Sequence, residues 1–178
     1  MTNRHEIKRQ AIREDLIFFA APALLVFTVG LIFSALDVYD SMLGTIYGLA
    51  RQPRGILELS LLNLIGLAMF VIGMSIAFIA VGTLRQFYSS TLMIRQGHRL
   101  VTHGIYRLTR HPIYLGVIIA CIGISVYAES LYGLFAMLAL IPIFLYRIRM
   151  EERLLTEEYG DAYRTYCEAT KKLVPFIY

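Results

Sequence analysis

The stretch "IYLGVIIACIGISVYAESLYGLFAMLALIPIFLY", Ile113 to Tyr146, consists of two apolar runs separated by Ala128, Glu129 and Ser130. Glu129 is its sole charged residue. Two runs joined so tightly read as an antiparallel helical hairpin, because paired helices need only a short connection. Helices that are apolar all round belong in a membrane or in a large protein core. A spanning helix needs roughly 20 apolar residues, with about 17 as the lower limit. Both runs, about Ile113–Tyr127 and about Leu131–Tyr146, are shorter than that. Flanking Arg, His and Tyr side chains have to complete the crossing by snorkelling.

Two longer runs precede the hairpin, Leu16–Leu36 and Ile56 to about Gly82. The whole chain of 178 residues is 57% apolar, above the roughly 45–50% of soluble domains. These features predict an all-α fold: an integral membrane helical bundle of about four transmembrane helices in one domain, 1–178. The run starting at Leu16 is long enough to span, and the "SALDVYDSM" that ends it offers no Ala-x-Ala cleavage site. It is expected to be mature structure rather than a signal peptide. Gly66, Ala68, Gly73, Ser75 and Ala77 in the second run, and Gly116, Ala120 and Gly123 in the third, permit close helix packing. Cys121 lies in an apolar run and Cys167 near the C-terminus. Neither a disulfide between them nor a metal-binding spacing is expected.

The net charge of +4 reports orientation here rather than a nucleic-acid partner. Arg4, Lys8, Arg9 and Arg13 precede the first run. Arg85, Arg95, Arg99, Arg107 and Arg110 lie between the second and third, with no acidic residue among them. Basic loops stay inside, so both termini are expected in the cytoplasm, with the chain in the inner membrane if the host is bacterial. Arg51 and Arg54, in the 37–55 loop, then fall outside, against the trend. After Tyr146, Leu154, Leu155, Tyr159, Tyr163 and Tyr166 recur every three or four residues. That spacing predicts an amphipathic cytoplasmic helix, broken near Gly160 and continuing to about Lys172.

The loop "GHRLVTHGIYRLTRHPIYLG", Gly97 to Gly116, carries the richest chemistry. Pro112 suits the first position of a helix and biases His111 away from helical geometry. His111 then stands beside free backbone N–H groups, a setting that favours an anion. His98, His103 and His111 add ring donors, and Tyr106 and Tyr114 add flat faces and hydroxyls. The set suits a ligand with a carboxylate at one end and an aromatic base at the other. It equally suits an interfacial belt of Tyr, Arg and His. A three-His zinc set is a further alternative, but nothing in the spacing fixes its geometry, and no metal is expected. Beyond the hairpin, "YRIRMEERLL" puts Arg147 and Glu151 on one helix face. A surface ion pair is the plain reading. The position of Arg147, directly after "IPIFLY" at the membrane boundary, favours a functional one, because charges at that depth usually face a protein interior or a wet cavity.

"HRLVTHGIYRLTRHPIYLG", followed by "RIRMEERLLTEEYGDAYRTY" and "VPFIY", resembles the isoprenylcysteine carboxyl methyltransferase family, which belongs with the membrane phospholipid N-methyltransferases. The shared pattern is RHPxYxG, a hydrophobic hairpin and paired glutamates. It covers roughly Gly97 to Phe176, and the N-terminal half matches only as helical membrane. The resemblance implies S-adenosylmethionine as cofactor, bound by the part spanning about 97–178. On that basis His98, Arg99, Leu100, Val101, Tyr106, His111, Pro112, Ile113 and Tyr114 resemble the family's cofactor contacts. Glu151 resembles a glutamate beside the cofactor, and Arg147 the arginine that meets the acceptor. Pro175 to Ile177 resemble the prenylcysteine enzymes more than the lipid ones. Some family members have more spans than the four read here.

The expected activity is therefore methyl transfer to a membrane-borne acceptor. A prenylcysteine-like carboxylate is already ionised and needs no base; Arg147 would grip it through a planar fork, with Glu151 orienting that fork. A phospholipid amine is the alternative and would make Glu151 a base. A membrane reductase using NADPH and a non-enzymatic scaffold are the readings from other classes. The expected partners are the lipid bilayer and a lipophilic methyl acceptor, with no nucleic acid.

Overall fold

A computed structural model describes residues 20–46, 60–84 and 100–175, with 41–46 as backbone alone. The described elements are α1 (Ala21–Ile46), α2 (Leu61–Leu84), a 3-10 turn (Gly104–Arg107), α3 (Pro112–Tyr127), α4 (Leu131–Leu138), α5 (Leu140–Tyr159) and α6 (Asp161–Ala169). The described residues contain no strand, only an isolated parallel bridge between Thr109 and Lys171.

Three segments are long and apolar enough to cross a membrane: Ala21–Asp40, Leu61–Leu84 and Leu131–Tyr159. The fourth, α3, has 16 residues and falls just under the usual lower limit, as its short apolar run predicts. Large apolar side chains face outward along α1, α2 and α4, among them Leu24, Ile32, Leu67, Phe78 and Phe135. Lipid, not water, is the solvent that suits such a surface.

Four features of the helices differ from the sequence reading. The first helix continues ten residues past Leu36 to Ile46; "DVYDSM" is polar but contains no Pro or Gly to stop a helix. The second arm of the hairpin is broken at Ala139, between α4 and α5. Pro142 explains the break: it has no N–H for the Leu138 carbonyl, and its ring crowds that group. Beyond the break α5 runs unbroken through Arg147 to Tyr159, so the membrane arm and the amphipathic segment are one helix. Gly160, at φ 53° and ψ −124°, makes the sharp exit into α6, a conformation natural to glycine. The last helix then stops at Ala169 rather than near Lys172.

The most extensive helix contact is between α2 and α3. Gly66, Gly73, Ala77 and Ala80 line the buried face of α2, and Gly116, Ala120 and Gly123 that of α3. Backbones approach so closely that a Cβ on Gly73 would stand 2.5 Å from both the Ala120 nitrogen and the Gly116 oxygen. Ala68 and Ser75 lie on the exposed face of α2 and take no part in this seam. A second core joins Cys121, Met137, Leu140 and Phe144, with Val26, Phe27 and Leu31 of α1 packed against it. At the hairpin turn Ser130 caps α4 by accepting from the Gly133 N–H at 2.9 Å. Asn63 donates across to the Tyr127 carbonyl at 2.5 Å, and the Ser60 hydroxyl to Glu129.

Candidate functional site

At the end of the bundle opposite the hairpin turn, α3 begins where α5 leaves its apolar section. His111 is the residue before α3, and Pro112 takes the first helical position, as the sequence predicts. The first helical backbone bond runs from the Leu115 N–H to the His111 carbonyl at 3.2 Å.

Arg147 is 4% exposed. Its Nε donates to the Tyr114 hydroxyl at 3.3 Å, and that hydroxyl donates to Glu151 Oε2 at 3.0 Å. Tyr114 therefore reads the spacing of Arg147 and Glu151, one turn apart on α5, from the facing helix. Its ring is held between His111, 5.8 Å away, and Phe144, 5.6 Å away, centroid to centroid. A cation, a hydroxyl and a carboxylate thus stand in one directional chain at the level where the apolar sequence ends.

The neighbouring glutamate faces elsewhere. Glu152 Oε1 lies 3.0 Å from Arg110 Nε, and its Oε2 2.9 Å from Lys172 Nζ. His111 Nε2, buried and without a hydrogen bond, stands 3.5 Å from Glu152 Oε1. Arg110 also donates to the Cys167 carbonyl at 3.0 Å and to the Thr170 carbonyl, the orphan acceptors at the end of α6. The backbone completes the lacing: Arg110 N–H to the Lys171 carbonyl, 2.9 Å, and His111 N–H to the Lys172 carbonyl, 3.1 Å. The Thr109 hydroxyl lies 2.8 Å from the Leu173 carbonyl.

The remaining expected site residues divide. Ile113 is half-buried on the first turn of α3. Val101 and Tyr106 are buried together against Ala80 of α2, with Ile113 packed on them. The Tyr106 carbonyl accepts from the Tyr166 hydroxyl at 2.6 Å. Burial pushes that phenol up to about 12, against the opposing pull of Arg110, so it stays a neutral donor. Leu100 is half-buried at the edge of this cluster's loop. His98, Arg99, Phe176 and Ile177 lie outside the described residues. His103 is exposed and His111 buried, and among the described residues no three His, Cys, Asp or Glu side chains come together as a metal site. Cys121 and Cys167 are free thiols.

Sequence reasoning missed the Glu152 cluster. Arg110 stands in the quoted motif, but its partner Glu152 follows Glu151 directly and points about 100° away from it around the helix. That divergence is what lets Glu152 reach a second element. Lys172 carried no signal, since its approach depends on the Gly160 turn. An open cleft of ≈ 540 Å³ borders the cluster at the α5–α6 elbow, lined by Arg149, Glu152, Arg153, Thr156, Glu157 and Arg164. Arg147, Glu151 and Tyr114 do not line it.

Comparison with known proteins places this geometry in context. Residues 65–157 match the model of the isoprenylcysteine carboxyl methyltransferase (ICMT) family. A probable protein-S-isoprenylcysteine O-methyltransferase of Oryza sativa subsp. indica is 35% identical over 116 residues, covering 64% of this chain and 61% of the rice protein. A methanethiol S-methyltransferase 1 of Bradyrhizobium diazoefficiens is 40% identical over 78 residues, 44% of this chain and 27% of that protein. Among solved structures, that of the eukaryotic intramembrane Ras methyltransferase ICMT superposes with a TM-score of 0.71 at 25% identity, covering 85% of this chain and 52% of that one. The chain thus spans only part of the length of the relatives it matches.

Proposed function

The chain belongs to the isoprenylcysteine carboxyl methyltransferase family, and from that premise we propose that it transfers a methyl group from S-adenosylmethionine to the carboxylate of a prenylcysteine-like, membrane-borne acceptor. It is a multi-pass integral membrane protein of helical fold. We assign the whole chain, 1–178, to one domain, with the cofactor held by the part from about 97 onward. Both termini and the 83–112 loop face the cytoplasm in this reading.

The observation that carries the proposal is the buried Arg147 bonded to Tyr114, which is bonded in turn to Glu151. An arginine at that depth has a desolvated fork suited to a carboxylate arriving laterally from lipid. Tyr114 fixes the direction of the guanidinium, and Glu151 balances its charge. A carboxylate acceptor is ionised at neutral pH, so no side chain has to remove a proton. The residues also fit the proposed cofactor. Ile113 and Tyr114 occupy the first turn of α3, where N–H groups lack helical acceptors and suit a ligand carboxylate. His111 Nε2 is a buried ring nitrogen without a hydrogen bond of its own, and Glu151 supplies negative charge for a cationic ligand. When bound, the cofactor's sulfonium supplies an electrophilic methyl and its leaving group. The protein's share is alignment and exclusion of water.

The names of the relatives span a carboxylate and a thiol acceptor, so the test is a direct comparison. The full-length protein is incubated with methyl-labelled S-adenosylmethionine and, separately, a prenylcysteine analogue, a phospholipid amine and a small thiol. Label on the prenylcysteine carboxylate as a base-labile ester is the expected result. Transfer only to the amine or the thiol would replace the acceptor assignment, and no transfer to any would remove the activity.

A further inference from the structure

Two consecutive glutamates on α5 serve two different elements. Glu151 meets Tyr114 on the first turn of α3. Glu152 meets Arg110, just before that helix, and Lys172, in the segment after α6. Its side chain is only 16% exposed, and those of Arg110 and Lys172 are 10% and 23% exposed. One half-buried carboxylate therefore balances two obligate cations. Removing it would break both ion pairs at once, which costs more than losing a single exposed pair.

The geometry shows what the cluster holds. Arg110 is fixed at three points: Glu152 on α5 and the Cys167 and Thr170 carbonyls at the end of α6. Its own N–H and that of His111 are bonded to the 171–172 backbone. His111 is consequently pinned on both sides, by Lys172 through its backbone and by the Glu152 carboxylate beside its ring. The start of α3, which carries the expected cofactor contacts, is thereby set against the same helix that carries Arg147 and Glu151.

We propose that Glu152 is a positioning residue that, through Arg110 and Lys172, holds His111 and the start of α3 in the arrangement that binds the methyl donor. It touches neither donor nor acceptor. This inference rests on the methyl-donor site proposed above. It separates the paired glutamates by role: Glu151 works on the Arg147 side, and Glu152 sets the donor side. Loss of Glu152 accordingly weakens donor binding and spares the acceptor.

The experiment uses the full-length protein in detergent, with S-adenosylhomocysteine as the calorimetric probe and donor and acceptor kinetics beside it. Glu152→Gln is expected to raise the probe Kd and the donor KM about tenfold or more, the scale of one lost charge-assisted contact. kcat at saturating donor and the acceptor KM should stay within about twofold. A structural ion pair would lower thermal stability without that split. Lys172→Gln, which leaves the Arg110–carbonyl bonds in place, should weaken the probe about threefold. The double variant should be non-additive, because both residues act through one cluster. If Glu152→Gln does not fold, Lys172→Gln alone decides: an unchanged probe Kd overturns the proposal. Additive effects in the double variant also overturn it, since they would place Glu152 on the ligand directly. If the wild-type chain does not bind the probe at all, the methyl-donor reading falls instead.

Discussion

The Tyr114 hydroxyl accepts a hydrogen bond from Arg147 Nε at 3.3 Å across the interface of α3 and α5. It donates its own hydrogen bond to Glu151 Oε2 at 3.0 Å. A hydroxyl is both acceptor and donor, so in that position it links the guanidinium to the carboxylate and fixes the direction of both.

Tyr114→Phe therefore tests whether orientation matters. The ring keeps its contacts with His111 and Phe144, so S-adenosylhomocysteine affinity should change by less than about threefold. Turnover should fall about tenfold or more, the equivalent of roughly 1.5–3 kcal/mol for a hydrogen bond to a charged group. Unchanged turnover would show that Arg147 needs no such orientation.

The α2–α3 seam makes a stability prediction. Gly73→Ala would put a methyl 2.5 Å from the backbone of Ala120 and Gly116, and backbone yields less easily than a side chain. The expected loss is about 1–3 kcal/mol, the usual scale of overpacking, seen as a lower unfolding temperature in detergent. Ala68→Leu, on the exposed face of the same helix, should leave that temperature nearly unchanged. Equal behaviour of the two variants would contradict the packing described.

Orientation can be read by labelling. A cysteine replacing Glu129, an exposed residue at the hairpin turn, should react with a membrane-impermeant thiol reagent added from outside intact cells. One replacing Arg107, exposed at the other end of the bundle, should react only after the cells are opened. The reverse pattern would invert the proposed topology.

The hairpin was legible because composition alone places it: two apolar runs and a three-residue turn admit few other arrangements. The start of α3 was legible because Pro112 restricts both itself and His111. The break at Ala139 left a trace in Pro142, but inside an apolar run a proline signals a kink as readily as an end. Arg147 and Glu151 were visible as a pair through their four-residue spacing, whereas the bridging role of Tyr114 depends on where α3 crosses α5. The burial of Tyr106 beside Val101 and Ala80 was not legible either, because it depends on how the loop before α3 folds back on α2. The Glu152 cluster was the least legible, because it joins residues 110, 152 and 172 through a helix reversal at Gly160.

The central claim is that Arg147 holds the acceptor's carboxylate, and Arg147→Lys tests it most directly. Lysine keeps the charge and the reach but offers no planar pair of donors. A residue that merely tethers the helix at the interface would tolerate the exchange, since either cation snorkels. The measurement is the turnover of a prenylcysteine analogue by Arg147→Lys, alongside its unfolding temperature and its affinity for S-adenosylhomocysteine. The account predicts a fall in turnover of about 10²-fold or more, equivalent to roughly 3 kcal/mol of transition-state positioning, with stability and S-adenosylhomocysteine binding retained. Near-normal turnover would contradict it and return Arg147 to a tethering role.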